Sequence, residues 1–330
     1  MFRQNKALNS PRRSQHKRAK ATLLLIGSLC CTQPLYAQST TLDQPTAQIQ
    51  APASIQTTAS QTANSRKAQQ ASGARVATAL PVTYLITQSL LANTPVAVDY
   101  LPAKRYPVSR LPYWLNKKLP LKQDQLPQYS GLVTVASVWP QLTLYPQLRQ
   151  QNIRIVPVDA AVQLKPQGAK VSLVADKDRA DQHYFWLAPD NLKVMNRIIA
   201  EDLSLLWPDH GQQIRRNEQS NDQSISRFQL DLDDKLWQQE WDGLCSIQEE
   251  LKPLLLSLSL PVLGDSATDS TELEGMRCLW ITDKKPKAEQ SATQQSSAQQ
   301  WTLNSLNRYY GKDLNSWLQS NLKQLDKLTR

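Results

Sequence analysis

Between Pro81 and Asp159 short β-branched runs take turns with amphipathic segments, and this alternation is what most limits the folds open to the chain. PVAVDYL, GLVTVASV and NIRIVPVD read as strands, whereas VTYLITQSLLA, RLPYWLNKK and LYPQLRQQ carry apolar residues at helical spacing. The first of those helices closes at the turn-forming Asn93. Strands that alternate with helices are joined by crossovers and line up parallel, with helices over the sheet faces. A second β–α set follows at PVLGD, CLWITD and the terminal helix of DLNSWLQSNLKQLDKL. Between the two sets, Asp190 or Asn191 is placed to cap a helix through LKVMNRIIAEDLSLLW, which Pro208 stops. IRRNEQSNDQSISRFQLDLDDKLWQQEW then has no Pro or Gly and extends as one helix of about 28 residues, about 40 Å long at 1.5 Å per residue. The fold class is α/β: two Rossmann-like lobes, 81–190 and 242–330, joined by a helix pair over 191–241 that includes the long connecting helix.

The ends of the chain change its charge and cysteine arithmetic. Residues 1–20 hold seven of the 38 Lys and Arg and no acid, and ATLLLIGSLCCTQPLYA after them is apolar, too short to span a bilayer, and ends in small Ala37. Residues 1–37 read as a cleaved secretory signal, which places the mature protein in the periplasm. Its removal leaves 31 cations against 28 acids, so the sequence pI of about 9.4 mostly describes the leader and no nucleic-acid partner is implied. It also takes away Cys30 and Cys31, leaving Cys245 and Cys278, which in an oxidising compartment pair as a disulfide. Residues 38–80 are rich in Gln, Ala, Thr and Ser with almost no aromatics and read as a disordered linker; KAEQSATQQSSAQQ from Lys287 reads as a disordered surface loop on the same grounds. No internal repeat is evident.

Catalytic signatures are absent. Beyond the leader only His183 and His210 remain, there is no G-x-S-x-G, H-E-x-x-H or phosphate loop, and the chain has just nine Gly. Nothing supports an enzyme, and no organic cofactor is implied. VTYLITQSLLANTPVAVDYLP, SVWPQLTLYPQLRQQNIRIVPVDAA and DQHYFWLAPDNLKVMNRIIAEDLSLLWP, in that order, resemble the zinc/manganese-type (cluster A-I) solute-binding proteins of ABC importers. The resemblance implies two lobes with a metal between them, a divalent metal or metal chelate as the transported ligand, and an inner-membrane ABC permease as partner to a monomer.

The ligand positions depart from that family. Its first His, in a Pro-Gly-x-Asp-Pro-His turn, is replaced by PAKRYPVSRLPYW, where Arg110 stands nearest the lost ligand. Its second, in Asp-Pro-His-x-Trp-Leu, corresponds to DQHYFWLAP, where His183 follows Asp181 but Tyr184 takes the place counted back from Trp186. The third has no match, and the fourth, an Asp, falls on Asp283 or Asp265. The candidate metal ligands are thus His183 and Asp283, too few for a closed all-protein site. The loop LPAKRYPVSRLPYWL sets Lys104, Arg105 and Arg110 beside Tyr106, Tyr113 and Trp114, a mixture that suits an anionic, partly planar ligand such as a metal chelate. Lys104, Arg105, Arg110, Tyr113, Trp139 and Tyr184 are the candidate ligand-binding residues. The function expected is the exported solute-binding component of a metal or metal-chelate importer. The rivals are a scaffold that has kept the fold and lost the metal site, and a hydrolase with an unrecognised site.

Overall fold

Strand β1 (Arg75–Thr78) is where the ordered chain begins, inside the stretch read from composition as linker. Its Val76, Ala77 and Thr78 are fully buried, so the linker boundary at residue 80 is corrected: alanine and threonine disguise a strand that lies inside a sheet. The computed structural model describes residues 73–126, 128–175, 183–264, 275–284 and 300–328. The leader 1–37, most of the linker, Asp181, Asp265 and the tract 285–299 lie outside the described residues.

Helix α1 (Pro81–Leu90) follows β1, its Pro at the first turn where a missing N–H costs nothing. Asn93 then takes φ of 63°, a left-handed turn that Asn tolerates. Strand β2 (Ala97–Tyr100), α2 (Leu111–Lys117), β3 (Gly131–Thr134), α3 (Tyr145–Arg149) and β4 (Val156–Asp159) complete the first lobe. The four strands are parallel in the order β2-β1-β3-β4.

Helix α4 (Pro189–Leu206) begins two residues earlier than a cap at Asp190 requires and three earlier than one at Asn191. Ala188 is the capping residue, without a side-chain bond, and Asp190 lies in the first turn. Asn191 instead ties α4 to the preceding chain, accepting from the Ser172 N–H and donating to the carbonyls of Ser172 and Phe185. After a short turn ending at His210 runs α5 (Gly211–Gln238), 28 residues long. Its Ile214, Asn221, Ile225, Phe228, Leu232 and Leu236 recur three, four or seven apart and form one buried stripe. The stripe carries a polar interruption in which Asn221 donates to Asn196 Oδ1 of α4 and accepts from Ser89 Oγ of α1.

The second lobe has β5 (Gly243–Cys245), α6 (Lys252–Leu255), β6 (Val262–Gly264), β7 (Cys278–Thr282), β8 (Gln300–Thr302) and α7 (Leu314–Asp326). Its strands are also all parallel, in the order β6-β5-β7-β8. Each lobe therefore places its second strand outside its first, then its third and fourth on the other side. The two lobes repeat one topology, though the sequence shows no repeat. Helix α5 packs against α1 of the first lobe, against α4, its partner in the joining pair, and against α7 of the second lobe, where Lys235 pairs with Asp326. Both lobes belong to one compact unit. Among the described residues no helix is long and apolar enough to cross a membrane. Cys245 and Cys278, on the paired strands β5 and β7, are joined as a disulfide with Cα atoms 6.0 Å apart.

Candidate functional site

In an open parallel sheet, ligands sit beyond the carboxyl ends of the strands, where the strand order reverses direction. That point lies between β1 and β3 in the first lobe and between β5 and β7 in the second. A pocket of about 140 Å³ opens there, walled by Val108, Pro112, Trp139, Gln141 and Leu142 of the first lobe and by Tyr184 and Glu250.

Trp139 rides on the loop that leaves β3, and the end of β4 fixes that loop. Asp159 accepts from the Ser137 N–H and hydroxyl, both at 2.8 Å, and from the Ala161 N–H at 2.9 Å. Trp139 itself is buried, and its indole Nε1 has no hydrogen-bond partner. Tyr184 stacks on Trp186 with ring centroids 4.8 Å apart and lies 6.4 Å from Trp139 at a tilt of 59°. Its backbone N–H donates to the Glu250 carbonyl, which joins this segment to the second lobe. Burial first, then the Asp283 and Glu250 carboxylates, push its phenol well above the usual tyrosine range.

Asp283 follows β7 directly, at the reversal point. Gln248 Nε2 donates to its Oδ1 at 2.7 Å and the Ser305 hydroxyl to its Oδ2 at 2.6 Å, while its own N–H donates to Gln248 Oε1. His183 is elsewhere in character: only 2% exposed, with neither ring nitrogen hydrogen-bonded and Nε2 3.9 Å from Glu249 Oε2. Among the described residues no three His, Cys, Asp or Glu side chains come together as a metal site.

The basic loop has a different use from the one its composition suggests. Val108 and Pro112 reach the pocket wall, but Lys104, Arg105, Arg110 and Tyr113 are exposed and none of the four lines it. Lys104 Nζ lies 4.7 Å from the Tyr309 ring centre, and Arg105 stacks on Tyr106. The loop's backbone is sewn to the second lobe, with the Val108 N–H donating to the Asn307 carbonyl at 2.8 Å and the Arg308 guanidinium donating to the Arg105 carbonyl. Beside this seam Leu306 holds a left-handed φ of 58°, fully buried, with its N–H bonded to Asn304 Oδ1. Trp114, Leu111 and Leu115 are buried and pack the loop onto the first lobe. Glu250, Gln141 and the positioning pair Gln248 and Ser305 are the residues that sequence reasoning did not single out.

Solved structures of metal-binding proteins share this architecture. Zn(II)-bound AdcA from Streptococcus pneumoniae is 16% identical over 78% of this chain and 57% of its own, with a TM-score of 0.53. FpvC from Pseudomonas aeruginosa in complex with Mn2+ is 14% identical over 78% of this chain and 98% of its own, at 0.57. The metal-dependent lipoprotein YcdH from Bacillus subtilis is 14% identical over 76% and 97%, at 0.55. The chain has their fold. It spans little more than half the length of AdcA and nearly all of the other two. No protein-family profile and no curated protein matches the sequence.

Proposed function

We propose that this chain is the exported, non-enzymatic solute-binding component of an ABC importer, handing a metal ion or metal complex to an inner-membrane permease. The observation that carries the reading is the pocket at the reversal points of two topologically matched lobes, bridged by one long helix. That is where such a fold binds a small solute, and proteins sharing the fold bind Zn(II) or Mn2+.

The donor set favours a complex over a bare ion. A tight transition-metal site needs three or four protein ligands converging on one point. Asp283 has both oxygens already accepting hydrogen bonds, and His183 faces Glu249, so the cargo would bring ligands of its own. Titrating Zn2+ into the metal-stripped protein is expected to give no one-to-one binding tighter than about 1 μM, roughly −8 kcal/mol. A nanomolar isotherm would place a full ligand set in the chain and overturn the preference for a complex.

The importer role is tested in the native host. Deleting the gene is expected to lower accumulation of at least one transition metal several-fold under metal limitation, with recovery when the gene is restored. Unchanged accumulation of every metal offered, free or complexed, would leave the scaffold reading in its place.

A further inference from the structure

We propose that the group this cleft grips on its cargo is a small organic cation, an alkylammonium, held against Trp139 and Tyr184 with Glu250 as counter-charge. The inference rests on the reading of the cleft as the cargo site and names the chemistry that site selects.

The sign of the charge comes first. Among the described residues Glu250 is the one ionisable acid or base on the pocket wall besides the Tyr184 phenol, and the nearby Asp283 adds a second carboxylate. The cations of the basic loop stand outside the wall, Lys104 over Tyr309 and Arg105 over Tyr106. An anionic ligand would meet carboxylates with no compensating donor of positive charge. A cation meets attraction.

The kind of cation comes from the surfaces. A bare divalent ion requires several converging oxygen or nitrogen ligands, and the wall supplies one carboxylate and one amide, Glu250 and Gln141, among aromatic and aliphatic groups. An alkylammonium needs something different: a π-face, an apolar lining for its methyl or methylene groups, and a carboxylate within Coulomb range. Trp139 and Tyr184, tilted 59° to one another, both line the pocket, Val108, Leu142 and Pro112 supply the apolar lining, and Glu250 the charge. The volume of about 140 Å³ is close to that of a cavity that takes up a single benzene-sized molecule.

Choline, a quaternary ammonium with a hydroxyl, serves as the probe, and 3,3-dimethylbutan-1-ol, the same shape without the charge, as its control. Calorimetry on the full chain is expected to show one-to-one choline binding, with the neutral alcohol about tenfold weaker or more. Glu250→Gln, which keeps the shape of a half-buried side chain, is expected to weaken choline about tenfold while leaving the unliganded melting temperature unchanged. Equal affinity for choline and the alcohol, no effect of Glu250→Gln, or no choline binding at all would each overturn the proposal. If choline fails while zinc citrate or free Zn2+ binds, the ammonium inference falls and the importer reading stands. If no probe binds and metal accumulation is also unchanged on deletion, both fall together.

Discussion

Replacing Trp186 with alanine is expected to lower stability by about 3–5 kcal/mol, the usual range for emptying a buried aromatic site. Trp186 is fully buried at the junction of the lobes. Its ring stacks on Tyr184, meets Trp139 edge-on at 5.3 Å and Phe185 at 5.4 Å, and its indole N–H donates to the Ser305 carbonyl at 3.0 Å. Truncation opens a cavity under both aromatic walls of the pocket and leaves a buried carbonyl unmet. Trp186→Phe separates the two costs, because it keeps most of the packing and removes the donor. It should forfeit about 1–3 kcal/mol, the cost of one unsatisfied buried polar group plus a small void. Urea denaturation at constant slope measures both variants. A loss under about 1 kcal/mol for the alanine variant would mean that the aromatic cluster is not packed as described, since even a partly collapsed site costs more.

The architecture was legible where a strand is long enough to show β-branched enrichment. PVAVDYL, GLVTVASV, NIRIVPVD and CLWITD all contain strands, and most of the Pro- and Gly-free stretch lies in the 28-residue helix, which starts three residues earlier, at Gly211, and ends three earlier, at Gln238. Three strands escaped for physical reasons. Strand β1 hides in an Ala- and Thr-rich segment, and β5 and β8 are three residues each, too short for any periodicity. In β8 only Trp301 is buried, and it directly follows a Gln- and Ser-rich tract. The repeated topology was invisible because strand order is a property of pairing between distant segments, which sequence patterning does not encode.

The site was legible in part, and the missing part follows from the missing strands. Asp283 was within reach of sequence reasoning because it directly follows a visible strand, and Trp139 and Tyr184 because they lie in segments that carry the family resemblance. Glu250 and Gln248 follow β5, and with that strand unread nothing pointed to the turn that brings them to the pocket. The basic loop shows the opposite failure. Its cations and rings look like a binding surface in one dimension. In three dimensions its prolines and Trp114 pack it down and its backbone joins the lobes, while the charges stay in solvent. Composition locates an unusual loop; only the fold decides which of its atoms face a ligand.

Removing the disulfide is the second large effect expected. Cys245 and Cys278 are separated by 33 residues, and closing a loop of that length restricts the unfolded chain by about 3–4 kcal/mol in the chain-entropy account. The bridge lies between β5 and β7, the two central strands of the second sheet, and both cysteines are buried. The double variant Cys245→Ala, Cys278→Ala should therefore shift the urea midpoint down by an amount worth about 3–4 kcal/mol, with a smaller additional loss from the deleted sulfurs. The second lobe should be affected first, because the first lobe and its pocket wall at Trp139 and Leu142 are not crossed by the bridge. Hydrogen exchange resolves this: amides of β5 and β7 should lose protection while those of β1 and β3 keep theirs. Equal loss in both sheets would show that α5 couples the lobes into a single cooperative unit. An unchanged midpoint, together with two titratable thiols in the unfolded, non-reduced wild type, would rule the bridge out. Because Asp283 follows β7 and Gln248 follows β5, loosening these strands also frees the carboxylate from the amide that holds it. Cargo binding should consequently weaken in the double variant under conditions where the protein is still folded.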